Sequence, residues 1–508
     1  MATLLSRILG LVREMVMASL FGTSMVADCF VVAFRIPNLL RRLFGEGTLS
    51  AAFVPSYTEV LTRGDERRSW GLATTVGISL ALILVVLVLL GIFGAPFYVK
   101  LFVWGWRSYP AKLSLAVRLA QLLFPYLFFV GLAALAMGIL NSHRRFFVPA
   151  LSPVVLNLSW IMGALLLGGL FGDSLEEKAF WMGVGILIGG LFQFLIQVPL
   201  LFKVGFKVVS PLPLRNEIVV RVGRLMIPGI FGLAVSEINY LVDTFLASLL
   251  PAGSVAALQY GNRLMLFPLG IFGVSLATAS LPAMSASAAK GDRKELVRIL
   301  SRSLRGIFFF ILPTSFFLIF LRYPIVRLLF QRGAFSSALS TPMTAYALGF
   351  YSIGLFAYGG VKVVVQAFYS LKDTRTPVRV GALAMGVNIV LSVILMQFLK
   401  LGGLALATAL AAMLNLSALL MLLQKRIGDI DGKRVFFSFG RMLLASLLAG
   451  GASWWAYKIV QAKVGIAHLV PQLLVFGSGL LVGLGVYFLF AWLFRLEERE
   501  FLRFRSLF

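Results

Sequence analysis

The sequence predicts an all-α polytopic membrane protein, and its composition, the length of its apolar stretches and the placement of its charges all favour this fold class. Of the 508 residues, 60% are hydrophobic and 13% are charged, and the mean hydropathy is +0.95. Soluble globular domains are roughly 45–50% apolar and about 25% charged. Apolar stretches of roughly 20 residues, the length that a helix needs to cross a bilayer, recur from end to end.

About 14 spans are predicted along the chain, each from an apolar window bounded by polar or basic residues. Their predicted limits, in order, are 2–21, 25–56, 70–98, 113–140, 148–171, 179–202, 225–250, 254–288, 304–329, 342–371, 380–399, 404–423, 442–459 and 471–494.

A bend is expected at Pro37 of the second span, because proline removes a helical hydrogen bond. Gly185 and Gly189 form a GxxxG pattern that predicts close helix packing in the sixth span. The last residues, 495–508, are amphipathic and predict an interfacial helix.

The basic residues determine the predicted orientation. With the N-terminus inside, the loops near 57–69, 141–147, 203–224, 289–303, 372–379 and 424–441 and the tail 495–508 hold roughly 28 Lys and Arg, against about 7 on the other side. The positive-inside rule therefore predicts that both termini are cytoplasmic. This placement also explains the net charge of +26 without nucleic acid, since no polar domain is present to carry a binding surface.

Internal similarity predicts two pseudo-symmetric six-helix lobes followed by an extra helix pair. Ala18-Ser19-Leu20 recurs as Ala247-Ser248-Leu249, 229 residues later, and Ser142 and Pro149 recur as Ser370 and Pro377, 228 residues later. Matches at a nearly constant offset favour duplication, and parallel repeats place a transporter's substrate site between the lobes. The predicted organisation is an N-lobe at 1–202, a linker at 203–224, a C-lobe at 225–423, a loop at 424–441, and the extra pair with its tail at 442–508.

Charged residues inside the first two spans are the strongest functional signal. Each charge at a helix centre costs about 2.5–3.5 kcal/mol. Such residues are therefore expected to line a wet cavity or to hold an anionic ligand. Asp28, Arg35 and Arg42 are spaced by seven residues and share one face of the second span, and Arg7 and Glu14 share a face of the first.

Arginines on other faces would complete the cavity. Arg13 and Arg41 lie off those two faces, and Arg263 is the intramembrane cation at the equivalent place in the second repeat. Arginine binds phosphate oxygens bidentately, so a cationic cavity predicts an anionic substrate, with a diphosphate as a good fit. Glu14 and Glu46 are predicted to have a gating role or to lie at the cavity mouth. Two alternatives stay open. The pairs Arg7–Glu14 and Asp28–Arg35 could be intramembrane ion pairs that hold helices together, and Arg42 and Glu46 could lie at a cytoplasmic mouth rather than at membrane depth.

A second constellation predicts a cation site. Asp243 of the seventh span has Asn388 and Thr408 as oxygen-bearing companions, and hard monovalent cations such as Na⁺ prefer such ligands. The alternative is an acid that pairs with a nearby arginine. Cys29 and two isolated histidines disfavour a metal site. Since no phosphate loop, catalytic triad or paired acid–base arrangement is present, we expect no enzymatic activity and no cofactor beyond such a cation.

At these residues the sequence resembles the MurJ (MviN) lipid II flippase family of the multidrug/oligosaccharidyl-lipid/polysaccharide exporter superfamily. The resemblance covers essentially the whole chain and is strongest in SRILGLVRE, in ADCFVVAFRIPNLLRRLFGEGTLSAAFVPSYTE, in YGNRLMLFPLGIFGVSLATASLPAMS and in FYSLKDTRTPV. It implies 14 helices, a groove for the undecaprenyl tail at the last pair, and export of the lipid-linked peptidoglycan precursor across the bacterial inner membrane. Family cavity residues match Arg7, Arg13, Asp28, Arg41 and Arg263.

The leading hypothesis is therefore a lipid II flippase that works by alternating access, for cell-wall biogenesis, with lipid II and the bilayer as its partners. We expect it to be a monomer. The alternatives are a cation-coupled antiporter and a polysaccharide-repeat flippase of the same superfamily. An antiporter would have 12 spans and a less cationic cavity, and an inactive homologue with a scaffold role would not need to keep the cavity charges.

Overall fold

The computed structural model describes residues 2–43, 48–336 and 338–502, and every regular element in those ranges is a helix. The first helices are α1 Ala2–Phe21, α2 Met25–Arg41, α3 Thr48–Thr62, α4 Glu66–Phe102, α5 Pro110–Leu123, α6 Tyr126–Ser142, α7 Phe147–Met162, α8 Gly168–Phe171, α9 Leu175–Leu195, α10 Val198–Lys203 and α11 Glu217–Ser248. They are followed by α12 Ser254–Pro268, α13 Val274–Ala289, α14 Arg293–Phe320, α15 Arg322–Phe330, α16 Ser340–Ile353, α17 Leu355–Ser370, α18 Arg375–Leu399, α19 Leu401–Ile427, α20 Gly432–Val464 and α21 Leu469–Leu493.

The chain divides into two compact units. The first comprises Met1–Ala256 with Arg332–Phe335, and the second comprises Ala257–Gln331 with Ser336–Phe508. The first unit therefore holds α1 to α11, including the seventh predicted span, and the second holds most of α12 and all of α13 to α21. The lobe limits drawn from the repeat stay a prediction.

The first unit is built on a core where α3, α4 and α6 meet. Phe53, Tyr57 and Leu84 are fully buried there, and the Phe53 and Tyr57 rings stack with centroids 5.1 Å apart. In the same unit, α9 packs closely on the end of α7. A Cβ atom added to Gly185 would lie 2.6 Å from the Cα of Gly163, so only glycine fits. The close packing predicted from the GxxxG pattern is confirmed at this position.

In the second unit, the final helix pair packs against α14. The Tyr487 hydroxyl of α21 donates to the carbonyl of Phe309 at 2.7 Å, and the Ser453 hydroxyl of α20 donates to the carbonyl of Gly479 at 2.7 Å. Most of α14 is buried, in keeping with its central place in this unit. Pro313 is accommodated inside that helix.

The long helices confirm a multi-pass membrane protein. Among the residues that the structure describes, 10 helices are long and apolar enough to cross a bilayer, or up to 11 if the pair α16 and α17, bent by 43°, counts as one span. α1 carries Arg7, Arg13 and Glu14, and α2 is 17 residues long, so these two are less apolar or shorter than an ordinary span. The predicted number of 14 spans stays a prediction.

One predicted loop was wrong, and two other predictions fall partly outside the described residues. The second span, predicted at 25–56, contains α2 and α3, and residues 44–47 between them lie outside the described ranges. The loop predicted at 289–303 is helical from Arg293, where the side chain of Asp292 caps α14 by accepting from the backbone N–H of Glu295 at 3.0 Å. Pro37 lies inside α2, and the bend predicted there stays a prediction. In the tail predicted at 495–508 as an interfacial helix, Glu497–Leu502 form a 3-10 helix, and residues 503–508 lie outside the described ranges.

Candidate functional site

Arg13 of α1 is held by a set of polar and aromatic contacts in the first unit. Its guanidinium donates to the carboxylate of Glu14 at 2.7 Å and to the side-chain oxygen of Asn157 at 3.1 Å. It also lies 4.1 Å from the centroid of the Trp160 ring, a cation–π distance. Asn157 in turn donates to the carbonyl of Ser6 at 3.2 Å. α7 therefore fixes the guanidinium in one place.

Glu14 is the acidic partner of that arginine. Only 4% of its surface is exposed. A buried carboxylate needs a charged or hydrogen-bonding partner, and Arg13 supplies it. This geometry favours a partner role for Glu14 over the predicted position at a cavity mouth.

Both carboxylate oxygens of Asp28 accept hydrogen bonds within the first unit. Its carboxylate is 1% exposed, and one oxygen accepts from Lys112 Nζ at 2.8 Å and from the backbone N–H of Gly253 at 2.8 Å. The other oxygen accepts from the backbone N–H of Ala256 at 2.9 Å. Asp28 thus binds amide groups at the first turn of α12, where a negative charge is favourable.

The surroundings of Asp28 depend on two further residues. Gly253 has a φ of +88°, and a Cβ there would lie 2.2 Å from the carbonyl oxygen of Thr23, so the turn requires glycine. Lys112 is 4% exposed, and its ammonium group lies 3.9 Å from the centroid of the Trp106 ring. Because both oxygens of Asp28 are used, the geometry favours a structural role for this residue over the predicted contact with substrate.

The arginines of α2 face α11. Arg42, the residue that caps α2, donates to the carboxylate of Glu237 at 2.7 Å. The Arg35 guanidinium lies 5.6 Å from the centroid of the Tyr240 ring. This confirms that Arg35 and Arg42 share a helix face, as their spacing of seven predicts. The Arg42 side chain is 43% exposed, whereas that of Glu237 is 7% exposed, so the cation is the accessible member of the pair.

The remaining predicted cations lie on the same helices or in the second unit. Arg41 donates through Nε to the side-chain oxygen of Asn38 at 3.1 Å, one turn earlier in α2. Arg7 is half-buried on α1. Arg263 is half-buried on α12 and belongs to the second unit. Glu46 lies outside the described residues. The assignment of these residues to substrate binding stays a prediction.

The predicted cation ligands fall in both units. In the second unit, the Asn388 amide donates to the hydroxyl of Thr408 at 3.2 Å, so those two side chains are brought together. Asp243 lies on α11 of the first unit, where Asn239 is 3.5 Å from one of its oxygens. The other oxygen of Asp243 and the side-chain oxygen of Asn388 are buried and have no hydrogen-bond partner among the described residues. Such oxygens are the type that a monovalent cation uses.

Some functional contacts were missed from the sequence. Lys112 lies one residue before the predicted start of the fourth span. A lone lysine beside a span was the only sign in the sequence that this residue could pair with a buried acid. Asn157, Trp160 and Glu237 belong to other helices than the arginines that they hold. No spacing along the chain gives such pairings, because they depend on how helices pack.

Comparison with known proteins places the chain in a family. The model of the family described as lipid II flippase MurJ matches residues 17–475. The probable lipid II flippase MurJ of Vibrio cholerae serotype O1 is 38% identical over 461 residues, covering 89% of this chain and 87% of that protein. The lipid II flippase MurJ of Burkholderia cenocepacia is 35% identical over 460 residues, covering 89% and 88%.

Solved structures agree with this assignment. A structure of lipid II flippase MurJ in an inward closed conformation is similar at a TM-score of 0.79 and 29% identity, over 97% of each chain. An inward-facing multidrug resistance MATE family transporter is similar at a TM-score of 0.67 and 16% identity, over 84% of this chain and 96% of the other, which shows a shared fold alone. From the matched family model and these relatives, the chain belongs to the MurJ lipid II flippase family.

Proposed function

We propose that this protein is the lipid II flippase of a bacterial inner membrane, and that it moves the lipid-linked peptidoglycan precursor from the inner to the outer leaflet by alternating access. Membership of the family carries this proposal. It acts as a transporter and not as an enzyme, works as a monomer, and has both termini in the cytoplasm. The antiporter and polysaccharide-flippase alternatives are not favoured by the relatives that it matches.

The arginines of α1 and α2 are the proposed ligands of the diphosphate. Arg13 and Arg42 each already donate to a carboxylate, Glu14 and Glu237, at 2.7 Å. A diphosphate presents the same acceptor chemistry as a carboxylate, with more oxygen atoms. It would therefore take over donors that the carboxylates hold when no substrate is bound. Arg263 is proposed as a further ligand because it matches a cavity residue of the family.

This exchange links substrate binding to a conformational change. A ligand shifts an equilibrium between states only through contacts that differ between those states. Withdrawing Arg42 from Glu237 would remove an ion pair between α2 and α11, which leaves the nearly buried Glu237 without that partner. Binding of the head group would thus alter the contact between these two helices and favour their rearrangement.

The test compares rescue of bacterial cells depleted of their own lipid II flippase with lipid II binding by the purified protein. Arg13→Ala and Arg263→Ala are expected to fail in rescue and to weaken binding by roughly 10- to 150-fold each, since a hydrogen bond to a charged group contributes about 1.5–3 kcal/mol. Arg118→Ala is the matched control, because the Arg118 side chain is 64% exposed and its ion pair with Glu176 is long, at 3.4 Å. Such an exposed ion pair contributes little to stability. This variant should behave as the wild type.

Asn157→Ala separates a substrate role from a structural one. It removes an anchor of Arg13 but leaves the charge in place. If Arg13 acts only in packing, Asn157→Ala and Arg13→Ala should lower the unfolding temperature and lipid II binding to similar degrees. If Arg13 binds the diphosphate, Arg13→Ala should be far more damaging to binding. Absence of rescue by well-expressed wild-type protein would refute the flippase assignment itself.

A monovalent cation, Na⁺ or H⁺, is the proposed coupling ion at Asp243, Asn388 and Thr408. The ligand chemistry of these carboxylate, amide and hydroxyl oxygens supports it. Lipid II transport in proteoliposomes should then depend on a sodium or proton gradient, and Asp243→Asn should abolish that dependence. Transport that is equal with and without both gradients would exclude the coupling role.

A further inference from the structure

A cavity of about 410 Å³ lies at one end of the second unit, away from the residues discussed above. Its walls come from the first turns of α14, the start of α20 and the 3-10 helix Glu497–Leu502 that follows α21. The long helices α14, α20 and α21 are each apolar enough to cross a bilayer. Because two of them begin and the third has just ended at the cavity, it lies at the boundary between membrane and water. The positive-inside rule predicts that this is the cytoplasmic side.

Four of the residues that line the cavity are acids: Asp431, Glu497, Glu498 and Glu500. Three of them accept hydrogen bonds from its walls, and Asp431 does so from the hydroxyl of Ser301 at 2.7 Å. Glu498, 2% exposed, accepts from Arg305 at 2.5 Å and from the hydroxyl of Ser438 at 2.7 Å. Glu497 accepts from Arg305 at 3.0 Å and from Arg434 at 2.5 Å. Through these contacts the two glutamates tie the end of the chain to α14 and α20. They are therefore occupied by protein donors before any ligand arrives.

The entrance of the cavity is basic. Lys294, Arg298 and Arg302 are exposed, line the cavity, and recur every four residues along one face of α14. Arg298 contacts Glu295 at 3.5 Å with a side chain that is 77% exposed, and an ion pair this long and exposed contributes little. Lys294 and Arg298 can thus turn toward an anion at small cost. Below them, Arg305 is 8% exposed, and its Nε atom has no hydrogen-bond partner among the described residues.

Two exposed aromatic side chains lie on α20 within one turn of Arg434, which lines the cavity. Phe436 and Phe437, which follow Arg434 on α20, are 74% and 65% exposed. Exposed phenylalanine rings are apolar, so beside a bilayer their burial against acyl chains is favourable. A free phosphate would use only the basic part of this surface. A ligand with an anionic head and apolar chains would use both parts.

We propose that this cavity binds the phosphate group of an anionic glycerophospholipid of the surrounding leaflet, with its acyl chains against α20. Basic pockets between transmembrane helices on the cytoplasmic side suit anionic head groups. The lipid is a resident ligand and not the transported substrate, so the site is separate from the arginines of α1 and α2. Its proposed effect is to bridge α14, α20 and the C-terminal segment.

The test measures binding of fluorescent phosphatidylglycerol to the purified full-length chain in neutral detergent, with phosphatidylcholine and inorganic phosphate as comparison ligands. Phosphatidylglycerol is expected to bind more tightly than phosphatidylcholine, and millimolar phosphate is expected not to displace it. Lys294→Gln with Arg298→Gln should weaken binding roughly 25-fold, or about five-fold for each cation removed. Both residues are exposed, so the unfolding temperature without added lipid should be unchanged.

Arg375→Gln with Arg379→Gln is the matched control, because it removes two exposed cations from the first turn of α18 in the same unit. It should retain binding within about two-fold, since a general loss of positive charge has only a small, screened effect. Equal affinity for the two lipids, or equal losses in both double variants, would overturn the proposal. Displacement of phosphatidylglycerol by low concentrations of phosphate would assign the cavity to a free anion and would also overturn it.

Discussion

Replacing Lys112 by methionine tests the buried ion pair with Asp28. Lys112 and Asp28 are 4% and 1% exposed, and their charged groups are 2.8 Å apart. Methionine keeps much of the length and apolar stem of lysine but removes the charge. Asp28 would keep the two backbone donors, Gly253 and Ala256, and would lose its only positively charged hydrogen-bond donor among the described residues.

The expected loss of stability is large for a single substitution. Breaking a buried ion pair by removing one partner costs about 3–5 kcal/mol, because the other charge stays buried and uncompensated. With an unfolding entropy of about 2.1 cal/mol/K per residue, a chain of this length should show a decrease of roughly 3–5 °C in its unfolding temperature. Removing both charges with Asp28→Asn and Lys112→Met should recover most of that loss, since neither group then remains as an unpaired charge.

The assay is thermal unfolding of the purified protein in detergent, followed by tryptophan fluorescence at a fixed heating rate, because membrane proteins often unfold irreversibly. Arg118→Met is the control, since it removes an exposed ion pair that contributes about 0–1 kcal/mol. The reasoning fails if Lys112→Met unfolds at the wild-type temperature. It also fails if the double variant is as unstable as the sum of the two single variants, because the residues would then act independently.

Two further predictions concern packing and pH. Gly185→Leu should prevent α7 and α9 from packing and abolish folded expression, as measured by size-exclusion chromatography. Gly451→Leu should be tolerated, because a Cβ atom at that position would have no neighbour within 4 Å among the described residues. The backbone N–H of Thr376 and the Arg426 guanidinium hold the pKa of Asp373 below its usual range. Stability from this carboxylate is therefore present above a pH of about 4 and is lost as the pH falls further, so the acid side of the stability profile should flatten in Asp373→Asn. An unchanged acid profile in that variant would contradict the assignment.

Much of the fold could be predicted from the sequence because bilayer-spanning helices have a strong local signal. The limits of α1, α18 and α21 agree with the hydropathy windows to within five residues, since each is set by where apolar residues give way to polar ones. The predicted span began at residue 304, later than the observed start of α14 at Arg293, because the first turns of this helix are basic and amphipathic. These turns lie beyond the apolar window, yet Asp292 and the packing of the helix start it at Arg293.

The site was predicted in part. Residues that share a face of one helix, such as Arg35 and Arg42, follow from the helical period. Their partners do not, because Glu237 and Tyr240 lie about 200 residues further along the chain. Lys112 illustrates the same limit. Its presence near a span end was visible, but its contact with Asp28 depends on the packing of α5 against α2.

The pairing of Asp28 with Lys112 changes the charge balance around the proposed diphosphate ligands. The Lys112 ammonium lies 2.8 Å from the Asp28 carboxylate, so a lysine of α5 neutralises this acid and no arginine of α1 or α2 is needed for it. The ion pairs of Arg13 with Glu14 and of Arg42 with Glu237 hold two guanidinium groups in position. In the proposed flippase, these two groups would exchange a carboxylate for the diphosphate, because both anions accept hydrogen bonds from the same guanidinium donors.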